Sequence, residues 1–290
     1  MKICTLCPRM CTVDRKSGER GVCGQTEEIK VARAALHFWE EPCISGEKGS
    51  GAVFFSGCAL HCVFCQNENI ANGTAGKVIS TERLGEIFLE LQEKGANNIN
   101  LVTPGQFVPQ IIKAVELARN QNLKIPIVYN TSSYENVDTI RSLEGIVDIY
   151  LPDFKYWNAA LSAKYSHAPD YPSVAKKAIE EMVRQTGAAV FENGEDSLMK
   201  CGTIVRHLIL PGQVENSLKI LDWIGETFRP GEVLVSLMRQ YTPMGNQQPP
   251  MDRRITDEEY DAVLSWMFLN DLEGFTQEAQ SADSGFIPDF

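Results

Sequence analysis

Three cysteines stand close together in this chain, in the run Cys58-Ala-Leu-His-Cys62-Val-Phe-Cys65. The apolar stretch Val53-Phe54-Phe55 and the turn Ser56-Gly57 precede them. Val53 to Phe55 reads as a short buried strand, so the thiols of Cys58, Cys62 and Cys65 lie on the loop leaving its C-terminal end. A [4Fe–4S] cube takes four thiolates. Three from one loop would hold three irons and leave the fourth with an open position, and an open metal position can chelate a substrate. A zinc knot, or three unrelated buried thiols, would account for neither the strand behind the loop nor the aromatic Phe64 directly before the third cysteine.

A second set, Cys4, Cys7, Cys11 and Cys23, crowds the start of the chain. Pro8, Arg9, Lys16, Gly18, Arg20, Gly21 and Gly24 are interspersed with it, which is loop composition without a helical or strand period. A loop of that length cannot bury enough surface to hold a shape. A metal tying four thiolates together can, because its binding supplies folding free energy. Tetrahedral zinc and a second iron–sulfur cluster both fit these residue types, and a site of structural character is the favoured reading. Cys43 reads as a small buried hydrophobe, and Cys201, ahead of the fifth strand, as inert. His37 and Trp39 read as packing residues.

The Cys58–Cys65 motif, with Gly57 before it and Phe64 inside it, resembles that of the radical S-adenosylmethionine (radical SAM) superfamily. The wider match, Gly49-Ser-Gly-Ala-Val-Phe-Phe-Ser-Gly-Cys58 through Phe64-Cys65-Gln66-Asn67, is similar to the branch that is pyruvate formate-lyase activating enzyme-like. The resemblance implies a [4Fe–4S] cluster whose fourth iron binds S-adenosylmethionine. Reductive cleavage of that cofactor would then yield methionine and a 5′-deoxyadenosyl radical that abstracts hydrogen from a substrate.

The elements that must position these cysteines alternate. Helical apolar spacing marks 81–93 (with Thr81 as N-cap), 106–120, 137–143, 172–186 and 214–228, and a capping box at Thr256 and Glu259 opens a last helix. Strands read at 53–55, 98–103, 125–129, 146–151, 203–210 and 233–237. Six strands alternating with helices imply an α/β fold with a parallel sheet and right-handed crossovers, and the site at the strands' C-terminal ends. The pattern fits a barrel or a doubly wound sheet; the resemblance implies the partial (β/α)6 TIM-like barrel. The expected organisation is a small N-terminal Cys-rich module and linker over 1–48, the barrel over 49–270, and a polar tail over 271–290 whose end, Phe286 to Phe290, docks back on the body.

The strand ends then supply polar residues to the cofactor. In the family a Gly-Gly-Glu-like stretch meets the methionine amine; this chain has Thr103-Pro104-Gly105 there, so Thr103 must act through its hydroxyl or backbone. Asn130 falls where the activating enzymes carry an aspartate that reaches the cofactor, and its amide still offers hydrogen bonds. Asp153-Phe-Lys155 is similar to the Asp-x-Lys that binds ribose and carboxylate there. Val205-Arg206-His207 through Pro211-Gly212 looks like the family's Arg-x-x-x-x-Pro-Gly strand. Side chains alternate along a strand, so Arg206 and His207 cannot both face the lumen, and Arg206 is the expected carboxylate partner. Phe64 and Gln240 complete the cofactor-binding set, Gln240 and Tyr241 closing the substrate side, while Tyr156, Trp157 and Tyr165 read as packing.

With 290 residues, 43% of them hydrophobic, the chain can bury one large α/β core plus a small module. The formal net charge of -11 and the lack of a long basic run disfavour nucleic acid as partner. No stretch is long enough to span a membrane and the start has no apolar signal core, so a cytoplasmic location is expected. Thiols stay reduced there, and clustered cysteines mean metal. An open iron is oxygen-sensitive, which favours an anaerobic or microaerobic host. The expected partners are an electron donor of the flavodoxin or ferredoxin type and, from the branch resemblance, a glycyl radical enzyme. Radical modification of a small metabolite or peptide, and a non-catalytic iron–sulfur or zinc protein, are the alternatives.

Overall fold

The computed structural model describes residues 3–192, 197–245 and 247–277. Its strands in chain order are β1 (Ile29–His37), β2 (Ser50–Phe55), β3 (Lys77–Ile79), β4 (Ile99–Val102), β5 (Ile127–Thr131), β6 (Ile149–Pro152), β7 (Val190–Phe191), β8 (Met199–Leu208), β9 (Leu234–Met238) and β10 (Gly274–Thr276). The helices are α1 (Pro42–Ser45), α2 (Glu68–Ala71), α3 (Thr81–Glu93), α4 (Val108–Asn120), α5 (Val137–Arg141), α6 (Ala159–Ser166), α7 (Tyr171–Thr186), α8 (Val214–Thr227) and α9 (Asp257–Leu269). The strands form one sheet in the order β10-β9-β8-β6-β5-β4-β2-β1-β3, with β7 paired to β8. From β2 to β9 every pair is parallel, as βα alternation requires. These six strands are the six expected from the sequence. The molecule is thus α/β with a mostly parallel sheet, consistent with a partial barrel.

The parallel strands are buried on both faces, which their continuous apolar runs prepare them for; every residue of β2, β5 and β6 is buried. Leu84, Ile87, Phe88 and Leu91 of α3 pack with Ile111, Val115 and Ala118 of α4 over one half of the sheet. Gly85 allows the close approach, since a Cβ there would lie 3.2 Å from the Ala114 carbonyl. Tyr156, Tyr171, Ile220, Trp223, Tyr241 and Val263 belong to the core of the other half. The capping box of Thr256 and Glu259 opens α9. At α3 the cap is Ser80 rather than Thr81, its hydroxyl accepting from the Arg83 amide.

Other differences have simple causes. β5 starts two residues later than the apolar run suggested, because Pro126 has no N–H to give a ladder. β1 is not a linker: it pairs antiparallel along β2, and β3 pairs on β1. The sheet therefore continues across residue 48. α6 escaped notice because Ala-Ala-Leu-Ser-Ala-Lys-Tyr-Ser has no apolar period; its start is held by the Asn158 side chain accepting from the Ala160 amide. The expected docking of Phe286 to Phe290 lies outside the described residues. Among those described, no helix is long and apolar enough to cross a membrane.

Candidate active site

The cysteine loop leaves the C-terminal end of β2 through Gly57, whose φ of +87° belongs to the left-handed region. Its amide donates to the Ile70 carbonyl at 2.8 Å. Cys58, Cys62 and Cys65 all line one cavity of about 510 Å³, a size typical of small-molecule sites. The Leu60 amide points at Cys58 Sγ at 3.4 Å, and the Ser166 hydroxyl donates to Cys62 Sγ at 3.1 Å. Burial pushes the Cys65 thiol up to about 12, with Cys58 and Cys62 adding to the effect. Burial raises Cys62 too, against the pull of nearby Lys155. Thiols held in this way lose their protons to a metal rather than to water. Among the described residues, no three His, Cys, Asp or Glu side chains converge tightly enough to chelate a single ion. Three thiols on the wall of one cavity are the donors that an iron–sulfur cluster takes.

Facing the thiols, the strand ends present a ring of charge. Thr103 follows β4, Asn130 lies in β5, Asp153 and Lys155 follow β6, Arg206 lies in β8 and Gln240 follows β9; all line the same cavity. Arg206 donates from Nε to Asp153 Oδ1 at 2.9 Å, from Nη1 to Glu40 Oε2 at 3.1 Å and from Nη2 to Asn130 Oδ1 at 2.5 Å. Lys155 Nζ donates to Asp153 Oδ2 at 2.7 Å. Glu40 Oε1 accepts from Asn100 at 2.9 Å and Asn130 at 3.3 Å. Two cations meet two anions, each side chain only 11–17% exposed, and the buried Glu41 carboxyl, its pKa raised by burial, adjoins Arg206 and Glu40. Burial alone would raise the Asp153 carboxyl; Arg206 and Lys155 hold it below the ordinary carboxylate range instead. Burial alone would lower Lys155, and Asp153 reverses that. Such a ring offers donors to a carboxylate and acceptors to hydroxyls or an ammonium.

The alternation argument for β8 holds. Arg206 lines the cavity, whereas His207 turns to the helical side, within 2.7 Å of the Phe154 carbonyl and 2.8 Å of the Ser217 hydroxyl. Burial lowers its pKa to about 4. Thr103 carries a φ of +55°, uncommon for a β-branched residue. Its amide donates to Asn130 O and its carbonyl accepts from Gln106 Nε2, both at 2.9 Å. Phe64 lines the cavity but is mostly core, its ring 5.8 Å from that of Tyr241 and 6.4 Å from that of Tyr165. Tyr241 does not close the substrate side as expected: it is buried, its hydroxyl donating to the Met251 carbonyl at 2.7 Å. Tyr156 and Tyr165 are core residues and Cys43 is buried, as expected.

The N-terminal cysteines come together as well. Cys4, Cys7, Cys11 and Cys23 line a smaller cavity of about 30 Å³, with Cys58 and Ala59 also in its wall. Arg9 anchors this segment to the main cysteine loop, donating to Ala59 O at 2.8 Å and Leu60 O at 3.4 Å, and to Ser166 O at 3.0 Å and His167 O at 2.5 Å. Arg15 Nη1 donates to Gln106 O at 2.7 Å, and Thr139 and Asn136 each donate to the backbone at Leu6 and Thr5 at 2.7 Å. A Cβ on Gly57 would lie 2.4 Å from the Cys23 carbonyl, so the two loops pack backbone to backbone.

Sequence reasoning missed Glu40, whose carboxylate arrives from the turn after β1. The signal was the pair Glu40-Glu41 ahead of Pro42, but only the pairing of β1 with β2 brings it to the rim. Trp39 and His37, read as packing, line the cavity, Trp39 being 61% exposed. No local pattern marks Arg9, which lies between two cysteines of a loop.

Comparison with known proteins agrees with this geometry. The profile of the radical SAM superfamily matches residues 52–224. An uncharacterized protein of Methanocaldococcus jannaschii is 28% identical over 273 residues, covering 91% of this chain and 73% of its own length. A radical SAM methyltransferase from Sphaerobacter thermophilus superposes with a TM-score of 0.57 at 14% identity, over 82% of this chain and 69% of that one. That likeness bears on the fold. A domain of pyruvate-formate lyase-activating enzyme from Bacteroides vulgatus reaches a TM-score of 0.42 at 9% identity, over 59% of this chain and 91% of that one, too slight to bear on the branch. The superfamily profile spans more than half of the chain and begins inside the strand that launches Cys58, Cys62 and Cys65: this chain belongs to the radical SAM superfamily.

Proposed function

We propose that the chain is a radical SAM enzyme in which Cys58, Cys62 and Cys65 hold a [4Fe–4S] cluster and the charged ring opposite them holds S-adenosylmethionine. Family membership implies both groups. One observation carries the assignment of residues: three thiols and the Arg206–Asp153–Lys155–Glu40 ring face one another across a single cavity. A reduced cluster held by Cys58, Cys62 and Cys65 would supply the one electron that breaks the sulfonium S–C5′ bond, giving methionine and a 5′-deoxyadenosyl radical able to abstract hydrogen. Arg206 and Lys155 orient the methionine carboxylate, and Asn130, Glu40 and Asp153 offer acceptors to the ammonium and ribose hydroxyls. Thr103 presents backbone polar groups beside them. Phe64 buttresses the loop and Gln240 borders the open side.

The substrate enters past His37, Trp39 and Gln240, which line the cavity, Gln240 standing beside the cysteine loop where its backbone carbonyl accepts from Gln66 Nε2 at 3.2 Å. The motif's resemblance favours a glycyl radical enzyme, from which a backbone glycine hydrogen is taken, with a flavodoxin- or ferredoxin-type donor in the cytoplasm. A small metabolite or a peptide is the second reading, favoured by Trp39, a mostly exposed aromatic on the cavity rim. Anaerobically reconstituted protein given dithionite and S-adenosylmethionine should release 5′-deoxyadenosine, and Cys62→Ala should abolish the release. Intact cluster with no cleavage would return the chain to a non-catalytic role. A glycyl radical signal on a co-purified partner separates the activase reading from the metabolite reading.

A further inference from the structure

The cavity enclosed by the N-terminal cysteines is not used by that chemistry. We propose that Cys4, Cys7, Cys11 and Cys23 hold a second iron–sulfur cluster, seated against the wall of the first through Cys58 and Ala59. The four cysteines, all on an irregular segment, border one cavity. At Gly21 a Cβ would lie 3.0 Å from Cys11 Sγ and 3.7 Å from Cys23 Sγ, so these two sulfurs converge although twelve positions separate them. The loop has little apolar surface to explain that convergence, as Ile3, Met10 and Val22 are all exposed. A bound metal explains it.

A second, independent observation points into the same cavity. Glu135 is 5% exposed and lines it, yet its Oε2 is buried without a hydrogen-bond partner. Its Oε1 accepts from Thr131 at 2.7 Å and from Tyr129 at 3.3 Å. A buried carboxyl oxygen without a partner costs about 1–3 kcal/mol, so the wall of this cavity is short of one polar partner. Arg15 reaches the same wall with Nη1 3.9 Å from Cys4 Sγ, the contact that tempers thiolate charge on a cluster. The cluster is favoured over zinc by position: Cys58 borders this cavity as well as the larger one, so a group here adjoins the first cluster, and zinc carries no redox chemistry. Four protein thiolates leave no open iron, so this site exchanges single electrons or holds the segment in place, and does not chelate substrate.

Iron, acid-labile sulfide and zinc are counted on anaerobically purified full-length protein, on the Cys58→Ala/Cys62→Ala/Cys65→Ala variant, and on Cys4→Ser/Cys11→Ser. The expected result is about eight irons and eight sulfides per chain for the unaltered protein and about four of each for either variant, from the [4Fe–4S] formula. Each variant should keep a dithionite-reducible paramagnetic signal, and the two signals should differ. Should the triple variant not fold, eight irons in the unaltered protein against four in Cys4→Ser/Cys11→Ser decide alone. One zinc without extra sulfide, or four irons in the unaltered protein, overturns the proposal. The outcome is separable from the proposed function: eight irons without 5′-deoxyadenosine release sinks the catalytic reading only, and four irons with release sinks this one only.

Discussion

Replacing Arg206 by glutamine tests whether the ring opposite the cysteines acts as one electrostatic unit. The guanidinium reaches Asp153, Glu40 and Asn130 at once, from a position nearly closed to water. At about 4 Å and an effective dielectric near 20, each charge contact is worth about 4 kcal/mol before desolvation. Removing one partner of a buried pair leaves the other uncompensated at a cost of about 3–5 kcal/mol. Asp153 keeps Lys155 at 2.7 Å, so the loss falls chiefly on Glu40, which retains only the amides of Asn100 and Asn130. Arg206→Gln should therefore destabilise by about 3 kcal/mol, near the lower end of that range. Glu40→Gln should cost less, about 1–2 kcal/mol, because a neutral acceptor survives. The double variant should cost 1–3 kcal/mol less than the two together, the coupling expected of groups in direct contact. Urea unfolding of all four proteins at one pH closes the cycle. Strict additivity would show that Glu40 and Arg206 do not share charge, and the ring as drawn would be wrong. Arg206→Lys should recover only part of the loss, since an ammonium cannot form the three-way fork.

His207 gives a pH test. Its folded pKa is lowered to about 4 by burial, so from the ordinary 6.5 down to about 4 the unfolded chain binds the extra proton and stability falls with acid. The unaltered protein should lose about 2 kcal/mol between pH 7 and pH 5 through this residue, and His207→Gln should lack that part of the slope; identical slopes would contradict the assignment. Gly57→Ala should cost about 1–2 kcal/mol for its left-handed φ alone. It should also lift the N-terminal segment from the cysteine loop, because the new Cβ meets the Cys23 carbonyl at 2.4 Å. Faster amide exchange across residues 4–26 is the readout, and unchanged exchange there would refute the contact.

The parallel half of the fold was legible because buried parallel strands and amphipathic helices write their periods into the chain. Ile99–Val102 and Val214–Thr227 could be placed almost to the residue. The same period assigned Arg206 to the cavity and His207 away from it. What stayed hidden was long-range. β1 is a bulged strand with a mixed burial pattern, so nothing local says that it joins the sheet. Without that pairing Glu40 has no reason to meet Arg206, far along the chain. Arg9 likewise acts through four backbone carbonyls, which leave no mark on sequence at all.

The antiparallel β1 has a practical consequence for anyone seeking a minimal catalytic core. Cutting the chain ahead of residue 49 would look harmless, since every parallel strand and all three cysteines of the main loop survive. Such a fragment would open the flank of β2 as a bare row of unpaired amides and carbonyls, an invitation to aggregate. It would also leave Arg206 short of a counter-ion. The strand that lies outside the repeating β/α pattern is thus inseparable from the charge balance at its centre.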